Sequence, residues 1–309
     1  MIWRFCLGVM LTLLLAQSSR AQETPDRIRF GFFPPPDTEI VYRVDYLHKQ
    51  TFGSTVRTVE WTHEVHFRFG PKGADGLHSG DFYLHSVRAR EGAQFELNYL
   101  MAKAVENEVY SVQMKDGVPV EVDWPAIKAK LESSLPKITD PRTAHMMLQA
   151  LPAFEPDGVS ALLRPFWATG IGYLRAFNRD GSTATFENLD LPSWFQVPGS
   201  TLITYGGKEE GTDDLLLIWK LEPTPKAAVD KLGPELRQMA LTVTSSSERA
   251  SVTTVLDRLL AGDIEAVEAG IAAFDPTPGL MRSFQLDTRL VAGDLRRETK
   301  IVITRTKPD

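Results

Sequence analysis

From Trp61 to Phe69 the side chains change character at every step. Trp61, His63, Val65, Phe67 and Phe69 share one parity, while Thr62, Glu64, His66 and Arg68 share the other. A period of two belongs to a strand, whose successive side chains point to opposite faces. A helix would spread these large apolar groups around its whole circumference. A strand with one aromatic face and one polar face must be half-buried, which points to an antiparallel sheet.

The flanking segments read the same way. Residues 39–49 alternate, with Ile40, Tyr42, Val44 and Tyr46 on one side, and residues 81–90 form a third strand. Gly53, Gly70-Pro71-Lys72-Gly73 and Asp75-Gly76 supply the connections. The pattern predicts an antiparallel meander. Residues 109–114 and 118–122 flank Asp116-Gly117, which calls for a tight hairpin.

At residue 123 the period changes. Asp123 can cap a helix with Pro125 in its first turn, and Trp124, Ile127, Leu131 and Leu135 fall on one stripe. Asp140-Pro141 repeats the device, with Ala144, Met147, Leu148 and Leu151 as the stripe. Residues 159–167 form a third helical piece, and 123–179 read as a helical layer. Strands resume at 183–189, 201–205 and 215–221. Helices are expected over 226–241, over 249–260 and from the cap Asp263 to Phe274. Residues 282–291 and 295–306 make a closing hairpin around Gly293-Asp294.

Strands and helices are thus segregated, which predicts an α+β fold. Its expected form is an antiparallel β-meander, a curved sheet with a helical layer packed on one side, completed by the C-terminal hairpin. The domain organisation follows: a signal peptide over 1–21, an extended Pro-rich leader over 22–37, and a single α+β domain over 38–309. That domain is strand-rich over 38–122, helical over 123–179 and mixed over 180–309. In the leader, Phe30, Phe32 and Phe33 stand before three prolines and are expected to dock on the body.

The first residues bear on location. Arg4, an apolar run of signal-peptide length and Ser19-Arg20-Ala21 predict cleavage after Ala21 and export to the periplasm or beyond the cell. The only cysteine, Cys6, leaves with that segment, so the mature chain has no thiol or disulfide. Cleavage also removes Arg4 and Arg20, making the chain two charges more negative than its formal −6. An acidic chain without a Lys/Arg cluster is not expected to bind nucleic acid. No later stretch has transmembrane length, so stable membrane insertion after cleavage is not expected. The 43% hydrophobic content is enough for a sizeable core.

Catalytic motifs are weak. His63 and His66 lie three apart on a strand and so face opposite ways. His63 and His85 could meet across strands, but no third ligand accompanies them, and no metal or cofactor is expected. Ser134-Leu135-Pro136-Lys137 has the S-x-x-K spacing, but Pro136 is expected to break the helix that would align it. Glu209, Glu210, Asp213 and Asp214 lack the ligand spacing of a calcium loop and read as a solvated hairpin tip. Leu191-Pro192-Ser193-Trp194-Phe195 is either an exposed aromatic contact or a loop pinned to the body.

The candidate ligand-binding residues are Tyr42, Tyr46, Trp61, Phe67 and Phe69 on the sheet, with Phe166 and Trp167 on the helical layer. Ile171 and Tyr173 share that layer. At the level of architecture, the arrangement resembles periplasmic lipid and lipoprotein carriers; no residue is carried over from them. The primary expectation is an exported binding or envelope-assembly protein. Its partner would be an apolar small molecule or an envelope protein segment, held between sheet and helices. The alternatives are an interaction protein with a solid core and a hydrolase without a sequence signature. Oligomeric state is not readable.

Overall fold

A computed structural model describes residues 27–152, 199–224 and 265–306. It also describes 162–163, 166, 176–178, 181, 183–187, 230, 250, 253–254, 256–258 and 260–261. The expected signal peptide, the helices over 226–241 and 249–260, Trp167, Ile171, Tyr173 and 191–195 lie wholly or largely outside the described residues.

The strands are β1 (Arg27–Arg29), β2 (Glu39–Phe52), β3 (Thr55–Lys72), β4 (Leu77–Glu91), β5 (Tyr110–Lys115), β6 (Val118–Val122) and β7 (Ala176–Asn178). They continue as β8 (Ala184–Glu187), β9 (Gly199–Lys208), β10 (Leu215–Pro223), β11 (Glu265–Phe274), β12 (Met281–Ala292) and β13 (Leu295–Thr306). The described α-helices are α1 (Leu97–Ala104), α2 (Trp124–Ile138) and α3 (Pro141–Ala150). Eleven strands form one open antiparallel sheet in the order β6-β5-β4-β3-β2-β13-β12-β11-β10-β9-β8. β1 and β7 pair separately.

The alternation from Trp61 to Phe69 is realised directly. Trp61, His63, Val65, Phe67 and Phe69 are buried on one face, here called the inner face. β2 lies antiparallel to β3, with Tyr46 opposite Trp61 and Tyr42 opposite Val65. The terminal hairpin joins this meander through β13, where Ile301 faces Tyr46 and Ile303 faces Val44. Asp116 and Gly117 both take positive φ, 47° and 78°, as a two-residue hairpin turn requires. The expected caps form: Asp123 accepts from the Ala126 N–H, and Asp140 from the Arg142 and Thr143 N–H groups.

Two expectations are corrected here. Residues 265–274 are strand, not the helix expected behind Asp263. The alanines and glutamates suggest helix, yet the small size of Ala and Gly serves packing between β10 and β12. Gly270 is paired with Trp219, and a Cβ there would come within 2.1 Å of the indole ring. Pro136 does not end α2, which runs on to Ile138. Pro136 leaves the Glu132 carbonyl without its helical donor, but Glu132 is exposed and that carbonyl can bond water. Within the extended leader, residues 27–29 pair with β7.

The inner face and the helices meet in one hydrophobic cluster. Ile127, Leu131 and Leu135 of α2 and Met101 of α1 are fully buried in it. α1 packs on β4, α2 on α1 and α3 on α2. Phe30 stacks on Phe274 at 4.6 Å and Phe32 meets Phe69 at 5.6 Å, so both leader rings dock while Phe33 stays exposed.

Candidate functional site

The sequence-derived aromatic residues share one cluster. Tyr42, Tyr46, Trp61, Phe67, Phe69 and Phe166 are all buried in it. Phe166 lies 5.2 Å from the Tyr42 ring and 5.1 Å from Phe67, and Phe67 stacks on Phe69 at 5.5 Å. Farther along β2 and β3, Tyr46 meets Trp61 at 5.6 Å, and Tyr99 of α1 approaches Trp61 at 6.0 Å. Burial pushes the Tyr42 hydroxyl well above its ordinary pKa, with only the Arg305 charge opposing.

Beside this packing lies an unsatisfied polar pair. The rings of Trp61 and His63 stack at 4.7 Å. Trp61 is 6% exposed and His63 4%. Trp61 Nε1 and His63 Nδ1 are buried without a hydrogen-bond partner among the described residues. Burial drives the His63 pKa down to about 3, with only the Asp45 charge opposing, so the ring is neutral.

One end of the inner face is polar. His48, Thr299, Thr288 and Glu268 stand directly opposite one another on β2, β13, β12 and β11. His48 Nδ1 and Thr299 Oγ1 are 2.9 Å apart. The next row places Gln50 between Arg297 and Arg57, and Arg57 lies 3.9 Å from Glu96. Burial, then the Arg297 and Arg57 charges, lower the His48 pKa. Burial raises that of Glu96 against the pull of Arg57.

The outer face carries a different cluster, around a bulge in β4. Thr62 pairs with Arg88 and Glu64 with His85, so two β4 residues, Ser86 and Val87, oppose His63 alone. Ser86 takes φ 52°, in the left-handed region. The Val87 N–H donates to Glu106 Oε1 at 2.8 Å, and Lys103 Nζ donates to the Val87 carbonyl at 3.2 Å. The bulge is therefore held from α1 and the turn after it. The one sequence signal for it is a slip of parity, from Phe82 and Leu84 to Val87, among the buried residues.

Near the bulge, Tyr83 donates to Glu39 Oε1 at 2.9 Å, and His66 Nδ1 lies 3.2 Å from the same oxygen. Burial alone would raise the Glu39 pKa; the Tyr83 and His66 hydrogen bonds and the His66 and Arg68 charges outweigh it and hold it low. Burial, then the bond to Glu39, raises that of Tyr83, so the phenol stays a donor. Among the described residues no serine, threonine or cysteine hydrogen-bonds to His66, so the cluster has a positioned imidazole without an activated nucleophile.

His63 and His66 do face opposite sides of the sheet. His85 does not meet His63; its ring lies 5.8 Å from that of His66 and its Nδ1 meets Asn107 Oδ1 at 2.7 Å. Among the described residues no group of three or more His, Cys, Asp or Glu could hold a metal ion. The acidic stretch after β9 is a hairpin tip, with Asp213 paired to Lys208 at 2.7 Å and Asp214 buried against Arg282. Ser134 and Lys137 share α2. Among the described residues no helix is long and apolar enough to cross a membrane.

No protein-family model and no curated protein matches the chain. Among solved structures it is similar to one titled "Lipid-protein interactions in lipovitellin", at 7% identity and a TM-score of 0.47. The match covers 88% of this chain and 25% of that one. At that score the likeness defines neither a shared fold nor a shared ligand.

Proposed function

We propose that the protein is exported and holds an apolar ligand, or an apolar segment of an envelope partner, against the aromatic inner face of its sheet. The helical segments form the opposite wall, in a single α+β domain spanning 38–309. The observation that carries this reading is the stacked pair Trp61 and His63, whose buried nitrogens have no partner among the described residues. Leaving such a group unpaired costs about 1–3 kcal/mol. A ligand whose apolar body fills the aromatic face and whose polar atom reaches this pair removes that cost. The polar row from His48 to Glu268 then marks the end of the site at which a ligand's head group belongs.

The test is uptake of a fluorescent fatty acid by the purified protein. Trp61→Phe keeps an aromatic ring and removes the donor; it should weaken binding by about threefold to tenfold, the value of one hydrogen bond. Uptake unchanged in Trp61→Phe and in His63→Leu argues against this site.

A second reading, an interaction protein with a solid core, is favoured by the outer face of β9–β11. Ile218 is paired with Ile271, Leu202 lies alongside on β9, and all three are exposed. Under that reading the wild type takes up no fatty acid and purifies with a protein partner.

A further inference from the structure

From the groove beside the β4 bulge we infer a second binding site, on the outer face of the sheet, for a multiply charged oxyanion such as a phosphate or a polycarboxylate. The groove has a volume of about 380 Å³, within the range of small-molecule sites. Arg43, Thr62, His63 and Glu64 line it from β2 and β3, while Ser86, Arg88 and Arg90 come from the bulged strand. Apart from His63, which belongs to the inner face by parity and also lines the groove, these residues have the opposite parity to Tyr42, Val44 and Val65, so the groove opens on the outer face.

The charges of the lining decide the ligand. It presents the three guanidinium groups of Arg43, Arg88 and Arg90 and a single carboxylate, Glu64. The acids that offset them lie outside the lining and fix the cations in place. Asp45 accepts from Arg43 Nε and Nη2, both at 3.0 Å, and Glu60 accepts from Arg90 at 2.6 Å. Each guanidinium keeps N–H donors beyond those bonds, because arginine carries five. Arg88 is exposed and has no hydrogen-bond or ion-pair partner among the described residues. The Ser86 hydroxyl likewise has no partner there.

Backbone strain supports a binding role. Ser86 holds φ 52°, which costs a non-glycine residue energy, and Glu106 and Lys103 secure the bulge that imposes it. The effect is to break the β4 alternation beside Arg88 and open the groove. Guanidinium groups converging from two strands suit the paired oxygens of a phosphate or carboxylate. The formal net charge of −6 works against indiscriminate anion binding, so any affinity must be local to such a groove.

The test titrates the whole protein with inorganic phosphate and with citrate by calorimetry. Vesicles of phosphatidylcholine with phosphatidylglycerol are tested in parallel. Binding of either small anion, weakened about tenfold or more in Arg88→Ala and partly restored in Arg88→Lys, is the expected result for a soluble ligand. Binding only to the anionic vesicles, lost in Arg88→Glu, assigns the same site to a lipid head group. No binding in any arm, or binding unchanged in Arg88→Glu, overturns the inference. Fatty-acid uptake and the melting temperature should be unaffected by the Arg88 variants. Failure here therefore leaves the inner-face proposal standing, and failure there leaves this one.

Discussion

His63 is 4% exposed and its pKa is pushed by burial to about 3, against an ordinary value of 6.5. The unfolded chain therefore binds a proton in a range where the folded chain does not. Stability is full above pH 6.5 and falls as the pH drops from there toward the folded value, at up to about 1.4 kcal/mol per pH unit from this residue. His63→Leu should flatten that dependence between pH 7 and pH 5 in urea melts. The same slope in wild type and variant would contradict the buried, neutral ring. The residue also shows where sequence reading stops. Its parity placed it on the inner face, but nothing in the chain announced that its ring stacks on Trp61 with Nδ1 unpaired. Such facts depend on three-dimensional neighbours, which a period cannot encode.

At the scale of elements, one carboxylate holds the backbone N–H of the β4 bulge. Glu106 Oε1 accepts the buried Val87 N–H, and Glu106 pairs with Lys103 at 2.5 Å. Glu106→Ala strands that N–H and should lower stability by about 1–3 kcal/mol in urea unfolding; a loss below about 0.5 kcal/mol would mean the bulge holds itself. Gly270→Val forces a side chain into the Trp219 ring and should cost about 1–3 kcal/mol by the same measurement. No loss would mean that the indole moves aside freely.

Elements with a clean local code were legible: the period-two strands β2 and β3, the Asp116-Gly117 turn and the Asp-capped α2 and α3. α1 was missed although Leu97, Leu100, Met101 and Ala104 have helical spacing, because the segment is short and its N-cap Glu96 makes no side-chain bond. β11 was misread because its small residues answer to Trp219 on a neighbouring strand, which is tertiary context overriding propensity. Of the candidate sites, the aromatic face was readable from alternation. The outer groove was not, since its residues come together only through a bulge that Lys103 and Glu106 stabilise.

In the whole molecule the last strand lies in the middle of the sheet. β13 pairs with β2 on one side and β12 on the other, so residues from both ends of the described chain share one core. Deleting 295–306 exposes two long strand edges and should abolish cooperative unfolding and leave the product insoluble. A soluble truncated protein with a single sharp transition would show that the N-terminal meander folds without its C-terminal complement. The wide sheet has one face committed to rings and aliphatic groups. The central question is whether that face is filled only by the chain itself. The most direct measurement is native mass spectrometry of the protein purified gently from the envelope of its own host. The proposed function predicts a discrete added mass that organic extraction removes and identifies as an apolar molecule, and that falls in Trp61→Phe. The bare chain mass alone, with no adduct after incubation with fatty acid, would contradict it.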